Sequence, residues 1–88
     1  MIGYVYILKC SDGSLYTGVT TDIARRVKQH KEGQGADFTR SYGVSELCYS
    51  EEYFNKNEAF SRETQIKKWT RKKKLALIAG DKELLKRL

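Results

Sequence analysis

The chain has 88 residues, of which 40% are hydrophobic and 32% charged, and its net charge is +6. This length and composition predict one small domain over residues 1–88, with a modest core and little room for a deep pocket. No apolar run approaches the roughly 20 residues of a membrane span, and the N-terminus lacks a signal-peptide pattern. We therefore expect a cytosolic protein with no membrane partner.

The charge and cysteine content narrow the classes of partner. The 17 Lys and Arg residues outnumber the 11 Asp and Glu residues, which favours a polyanion, most commonly nucleic acid. Cys10 and Cys48 form no CxxC pair and no plausible zinc set with the single histidine, His30. We expect two free thiols rather than a disulfide.

Two strands open the chain. Residues 4–10 predict a strand that is apolar on both faces and therefore central in its sheet. Residues 11–13, Ser-Asp-Gly, predict a turn, and a second strand follows from Ser14. The two segments together predict a β-hairpin.

The length of the hairpin loop decides where two tyrosines lie. A two-residue Asp-Gly turn places Tyr6 and Tyr16 on opposite faces of the sheet. A three-residue loop, with Gly13 left-handed, places Tyr6 opposite Gly18 and on the same face as Tyr16. We favour the three-residue loop because Gly18 leaves space for the Tyr6 ring, although the sequence alone does not settle the register.

Residues 22–32 predict the first helix, with Asp22 as a good N-cap. At about 100° per residue, Val27 and His30 fall on one stripe with Arg26 beside it. Arg25 points the other way. We therefore predict that Arg26 faces the sheet and that Arg25 faces water.

The remainder of the chain predicts one more strand and further helices. Residues 31–43 predict an exposed loop, residues 46–53 a third strand, and residues 56–73 a long helix that Asn55 caps. Shorter helices follow, of which Gly80 ends the first and Asp81 caps the last. The order β-β-α-β-α-α predicts an α+β fold, an antiparallel three-stranded sheet flanked by helices.

Periodicity along the long helix places Glu63 on its buried side, with Glu58 and Arg62 pointing outward. Because burying an unpaired carboxylate costs several kcal/mol, Glu63 needs an arginine, hydroxyl or metal partner. A structural salt bridge with Arg26 is one interpretation and a metal site is the other. Similarly, the tyrosines and His30 have ordinary structural explanations as core side chains.

Several of these residues together form a family resemblance. They are Tyr4-Val5-Tyr6, Tyr16-Thr17-Gly18, Arg26, His30 and Glu63. The pattern resembles the GIY-YIG nuclease superfamily over nearly the whole chain, to about Ile78. It is most similar to the small single-domain bacterial subfamily, also in the loop of residues 35–40. The sequence departs from the family pattern in three places. The first motif reads Tyr4-Val5-Tyr6 instead of Gly-Ile-Tyr, Thr17 replaces the central isoleucine of the second motif, and Lys74-Leu75-Ala76 stands where many active relatives have an asparagine.

The resemblance implies metal-dependent hydrolysis of DNA phosphodiester bonds, with branched or damaged DNA and DNA repair as the expected setting. Glu63 then binds one Mg²⁺ or Mn²⁺, and no small-molecule cofactor is expected. Tyr6 is the implied general base, with Tyr16 hydrogen-bonding beside it. Arg26 and His30 are implied to contact the scissile phosphate or to assist proton transfer.

The chemistry suits these residue types. Tyrosine is a poor base at its ordinary pKa of about 10, so we expect Arg26 and the metal to favour its phenolate form. DNA would be held mainly through its backbone phosphates. The residues expected to contact it are Arg25, Thr39, Arg40, Lys67, Lys68 and Arg71.

A second function remains open. The chain could be a catalytically weak module that keeps the fold and binds nucleic acid or recruits a partner. In larger relatives an appended domain often selects the target, so we also expect low specificity or a separate targeting protein. Cleavage with Mg²⁺, Mn²⁺ or EDTA separates the two functions.

Overall fold

The computed structural model describes residues 2–34, 43 and 46–88. Within these residues the strands are β1 (Gly3–Lys9), β2 (Leu15–Thr20) and β3 (Glu46–Tyr53). The helices are α1 (Ile23–Lys31), α2 (Lys56–Lys67), α3 (Arg71–Ala79) and α4 (Lys82–Arg87). The predicted α+β fold is confirmed, and three helices follow β3 where the predicted order β-β-α-β-α-α has two. The loop residues Thr39 and Arg40, expected to contact DNA, lie outside the described residues.

The three strands form an antiparallel sheet in the order β2-β1-β3, so the apolar strand β1 is central as predicted. The amide of Cys10 donates to the carbonyl of Ser14 at 2.8 Å, and Gly13 has a φ of 89°. This three-residue loop places Tyr6 opposite Gly18 and on the same face as Tyr16. The preferred hairpin register is thus confirmed.

Three predicted helix starts carry the expected caps. The side chain of Asp22 accepts the amide of Arg25, Asn55 accepts that of Glu58, and Asp81 that of Leu84. Each cap satisfies an amide that has no partner within its helix. Local polar side chains therefore define where α1, α2 and α4 begin.

The prediction of one long helix over residues 56–73 is wrong. α2 ends at Lys67, and α3 begins at Arg71 after an extended Thr70 whose hydroxyl accepts the amide of Lys73. The interruption lets the Trp69 ring pack against the core. A threonine at such a position can cap a new helix as well as continue an old one, and the packing of Trp69 favours the cap.

The two faces of the sheet have different roles. On one face, Val5 and Ile7 of β1 pack with Ala59 and Ile66 of α2 in the buried core. On the other face, Tyr6 contacts α1. Because β2 is an edge strand, side chains of α1 and α2 can approach its unpaired edge. The candidate site lies at this edge.

Arg62 does not point outward as predicted. Its Nε and Nη2 atoms donate to the two carboxylate oxygens of Glu51 on β3, at 3.0 and 3.2 Å. Tyr49 and Tyr53 donate to the same carboxylate, and the guanidinium lies 5.0 Å from the Trp69 ring centre. Burial acts to raise the pKa of Glu51, but these hydrogen bonds together lower it. This cluster joins β3 to α2.

Two further expectations concern cysteines and membranes. Cys10 is buried and Cys48 is half-buried, and both are free thiols as predicted. In the part of the chain that the structure describes, no helix has the length and apolar character needed to cross a bilayer.

Candidate active site

Three side chains form the centre of the site. The Tyr6 hydroxyl oxygen lies 2.9 Å from Nε2 of His30, in a buried hydrogen bond. The ring centres of Tyr6 and Tyr16 are 6.3 Å apart, and those of Tyr16 and His30 are 5.1 Å apart. Tyr6 and His30 are each 1% exposed, whereas Tyr16 is half-buried. The structure thus brings together three of the side chains that the sequence singled out.

Gly18 provides the space in which Tyr6 lies. A Cβ atom at Gly18 would stand 2.5 Å from the Tyr6 hydroxyl oxygen and 3.1 Å from a ring carbon of Tyr16. The adjacent residue, Thr17, is buried, and its hydroxyl has no hydrogen-bond partner among the described residues. The position of the Tyr6 side chain therefore requires a residue without a side chain at position 18.

Gly18→Ala is expected to disrupt the site more than the fold. The added methyl group would force the Tyr6 phenol from its buried contact with His30, because overpacking typically displaces side chains at about 1–3 kcal/mol. We expect the Tyr6–His30 contact to be lost in nuclear Overhauser spectra, together with any catalytic activity. Gly33→Ala is the control, since a Cβ there meets nothing within 4 Å, although its φ of 77° will cost some stability. Normal activity in Gly18→Ala would show that the Tyr6 position is not critical.

The adjacent arginines occupy different environments, as predicted. Arg26 is half-buried, and its Nη1 donates to Oε1 of Gln29 at 3.1 Å. It also lies close enough to Tyr6 to lower the pKa of that phenol. Arg25 is exposed. Of the two arginines, Arg26 therefore belongs with Tyr6, Tyr16 and His30, and we call these four residues the Tyr6 cluster.

Burial keeps both partners of the central hydrogen bond neutral near pH 7. It raises the pKa of Tyr6, an effect that Arg26 opposes and that the Tyr16 and Glu63 side chains reinforce. It lowers the pKa of His30, and the charge of Arg26 lowers it further. The expected bias of Arg26 towards the phenolate is present, but burial outweighs it.

Glu63 approaches the cluster from α2. Its side chain is 17% exposed, and its charge reaches Tyr6, whose pKa it helps to raise. The ion pair that the structure describes for Glu63 is with Lys67, at 3.5 Å between Oε2 and Nζ. The predicted alternative of a salt bridge with Arg26 is thus replaced by a pair within one helix, because residues four apart face each other.

A metal at Glu63 would have few protein ligands. The described residues contain no group of three or more His, Cys, Asp or Glu side chains that could enclose a cation. Mg²⁺ commonly binds through only one or two carboxylates, keeps several waters and completes its shell with substrate phosphates. The single carboxylate therefore fits a magnesium or manganese ion that is shared with a phosphate group.

Two hollows follow the free side of β2. The larger, of about 340 Å³, opens between α1 and α2 and includes Arg25 and Arg26. The smaller, of about 210 Å³, lies beside Tyr16 and is bordered by Lys67 and Lys74. We call the two hollows together the β2 groove. Along α2, Glu63 comes between Phe60 of the larger hollow and Lys67 of the smaller one. Arg26 lines the larger hollow and Tyr16 the smaller, so both hollows adjoin the Tyr6 cluster.

Sequence reasoning missed several groove residues. Lys56 and Phe60 line the larger hollow, and Lys74 the smaller one. The signal was present in the spacing, because residues 56, 60, 63 and 67 follow one stripe along a helix. The pattern could have been read as a second functional face.

The predicted DNA-contacting residues are spread around the site. Arg25 and Lys67 border the groove, and Lys68 is exposed at the end of α2. Arg71 lies near the hairpin turn, where its charge helps to lower the pKa of Asp12 after the hydrogen bonds from Ser14. The basic side chains thus extend along the molecule rather than forming one patch.

Comparison with known protein families identifies the family of this chain. The model of the GIY-YIG catalytic domain matches residues 2–76, which include every residue of the Tyr6 cluster and Glu63. The chain belongs to the GIY-YIG family. The resemblance inferred from the motifs is therefore confirmed, and it places the chain in a nuclease superfamily.

Relatives within the GIY-YIG family are of similar size. A UPF0213 protein of Staphylococcus aureus is 53% identical over 75 residues, covering 85% of this chain and 92% of that protein. The solution structure of a UPF0213 protein from Bacillus halodurans is 46% identical, with a TM-score of 0.59 over 90% of this chain and 84% of that one. A protein from E. faecalis is 35% identical, with a TM-score of 0.62 and coverage of 91% and 85%. The predicted fold is shared with both solved structures.

Proposed function

We propose that this protein is a metal-dependent endonuclease that hydrolyses DNA phosphodiester bonds. The observation that carries the proposal is the buried Tyr6–His30 hydrogen bond beside Arg26, in a chain of the GIY-YIG family. Phosphodiester hydrolysis requires a base for the attacking water, charge neutralisation at phosphorus and assistance to the leaving oxygen. In this proposal the Tyr6 cluster and Glu63 meet these requirements, and two of these side chains, Arg26 and Tyr16, border the β2 groove.

The Tyr6–His30 pair supports the role of a base. A neutral His30 can accept the phenol proton at Nε2 while the Tyr6 oxygen takes a proton from water. The pair removes the need for a stable phenolate, which burial disfavours. In this proposal Tyr6 acts directly on the water and His30 receives the displaced proton.

Arg26 and Tyr16 would hold the scissile phosphate. A guanidinium presents several N–H donors in a fixed fork that fits two phosphate oxygens, and it stays charged at every relevant pH. Arg26 is positioned by its bond to Gln29 and remains half-buried, which strengthens its electrostatic effect. The half-buried Tyr16 borders the smaller hollow, with its ring centre 5.1 Å from that of His30, and in this proposal its hydroxyl donates to the phosphate.

Glu63 would hold the cation. A bound Mg²⁺ or Mn²⁺ would neutralise charge on the phosphate and assist the leaving oxygen. Without a cation, Lys67 compensates the charge of Glu63. Its side chain is half-exposed and flexible, so it can turn towards a phosphate group when Glu63 binds the cation. Arg25, Lys68 and Arg71 would add backbone contacts along the strand.

The proposal is tested by incubating the protein with branched and linear DNA in the presence of Mg²⁺, Mn²⁺ or EDTA. We expect cleavage with either metal, none with EDTA, and loss of cleavage in Tyr6→Phe, which keeps the ring but removes the hydroxyl. Branched or damaged DNA is the proposed preferred target. Tight binding without cleavage under every metal condition would instead identify a binding module.

The rate of cleavage is expected to rise with pH and then level off. The unfolded His30 titrates near pH 6.5, and in the folded protein burial and Arg26 lower its pKa. Below that lowered pKa the imidazolium cannot accept the Tyr6 proton, so the rate falls as pH falls. Single-turnover rates at saturating DNA between about pH 5 and 8 test this.

The same pKa shift predicts a matching change in stability. Below about pH 6.5 the unfolded chain binds a proton at His30 before the folded protein does, so stability is lost as pH falls through the folded pKa. The urea midpoint should fall over this range in the wild type and less in His30→Gln. A midpoint with the same pH dependence in both proteins would argue against a depressed His30 pKa.

A further inference from the structure

The larger hollow of the β2 groove contains an aromatic side chain that catalysis does not use. Phe60 of α2 lines it together with Arg25, Arg26 and Lys56, and remains 50% exposed. The hollow measures about 340 Å³, which is at the lower end of the range for sites that hold small organic groups. Because Arg26 also reaches Tyr6, the hollow adjoins the proposed position of the scissile phosphate.

The surroundings of Phe60 distinguish it from an ordinary exposed apolar residue. Isolated exposed hydrophobic side chains are common and carry no meaning alone. Here three cationic side chains line the same hollow as the ring, and the hollow's acidic residue, Asp22, uses its carboxylate to accept the amide of Arg25 at 3.1 Å. Cationic grooves with an aromatic side chain are the usual sites for unpaired nucleotides, because the backbone meets the charges and the base stacks on the ring.

The position along α2 links this ring to the reaction. Phe60 precedes Glu63 by three residues, so the two side chains are neighbours on one face of the helix. A phosphate that contacts Arg26 and approaches Glu63 would therefore carry its adjoining nucleotide past Phe60.

We propose that the larger hollow receives the base of the nucleotide next to the scissile phosphate, unpaired and stacked on Phe60. This rests on the proposed function, because it takes Arg26 as the phosphate contact. It defines the substrate class as DNA with an unpaired nucleotide at the cut, such as a bulge or branch. A perfectly paired duplex binds less well, because one of its bases must first be unpaired and unstacked.

The test compares two duplexes of equal length and sequence, one of which carries a single bulged nucleotide. Affinity is measured by fluorescence anisotropy in EDTA at fixed salt, so that no cleavage is needed. The wild type is expected to favour the bulged duplex by about 5- to 150-fold, the range that stacking of one base provides. Phe60→Ala and Phe60→Leu should lose this preference, whereas Phe60→Tyr should retain it.

Phe54→Ala is the matched control. Phe54 is 87% exposed, immediately precedes the N-cap of α2 and does not border the larger hollow. Its removal should leave the preference unchanged. Circular dichroism and thermal unfolding establish that each variant is folded, and the leucine variant keeps an apolar side chain at position 60.

The outcomes separate this proposal from the proposed function. No bulge preference in the wild type, or a preference that survives in folded Phe60→Ala or Phe60→Leu, overturns the stacking site. The same duplexes are then incubated with Mn²⁺. A Phe60-dependent preference without cleavage would retain the stacking site and reject the nuclease. Cleavage without a Phe60-dependent preference for the bulged duplex would retain the nuclease and reject the stacking site.

Discussion

Glu63→Gln is expected to lower cleavage at least about 100-fold, because a metal ion contributes several kcal/mol to transition-state stabilisation. The same change should leave the free energy of unfolding within about 0.5 kcal/mol. The carboxylate is 17% exposed, but Lys67, its partner, is 52% exposed at a separation of 3.5 Å. Solvent screening makes such a pair weak. Urea unfolding and single-turnover cleavage measure the two effects.

Manganese binding can be measured directly, whereas loss of activity alone does not show whether Glu63 binds the metal. Paramagnetic line-broadening in the wild type should centre on residue 63 and disappear in Glu63→Gln. Glu58→Gln is the control, because Glu58 is exposed on the same helix and lies about 140° away around its axis. A Glu63→Gln variant destabilised by several kcal/mol, with no manganese response in the parent, would identify a structural carboxylate and favour the binding module.

Much of the fold could be predicted because its determinants are local. Alternating and β-branched residues define the strands, and Asp22 and Asn55 define two helix starts. The hairpin register follows from the left-handed Gly13 and from the absence of a side chain at Gly18. These signals lie within a few residues of the feature that they determine.

The break after α2 could not be predicted for the opposite reason. Residues 56–73 contain no glycine or proline, so local propensity favours one continuous helix. The break depends on Trp69 packing against a core that is assembled from distant strands. Arg62 is a similar case, because its partner Glu51 lies on β3 and sequence spacing gives no indication of the pairing.

In the candidate site, too, some features follow from local sequence patterns and others depend on the assembled fold. Given the three-residue hairpin loop, the two-residue period of the strands places Tyr6 with Tyr16, and the 3.6-residue period of the helix places Arg26 on the side of the sheet. The pKa of Tyr6 is raised and that of His30 is lowered mainly because the fold buries both side chains. The extent of this burial cannot be read from the spacing of residues in the sequence. For the same reason the hollow beside Phe60 becomes visible only when α1 and α2 are placed around β2.

Arg26→Ala is expected to reduce the rate of cleavage at saturating DNA by about 100- to 1,000-fold, the effect typical of removing one preorganised donor to a developing negative charge. Arg25→Ala should leave that rate near the wild-type value and weaken only binding. Each variant removes one positive charge from adjacent positions on α1, so net charge is matched between them. Arg26→Lys tests geometry, because an ammonium keeps the charge but loses the guanidinium fork.

The salt dependence of binding separates the two roles further. Each arginine that contacts a phosphate contributes about one unit to the slope of log affinity against log salt, so both alanine variants should show a similar decrease in slope. Only Arg26 is half-buried beside Tyr6, and so only its loss should act on the chemical step. Folded Arg25→Ala and Arg26→Ala proteins with equal losses of single-turnover rate would contradict this assignment. If the two variants show equal salt slopes but unequal cleavage rates, both arginines contact phosphate. In that case only Arg26 also stabilises the transition state.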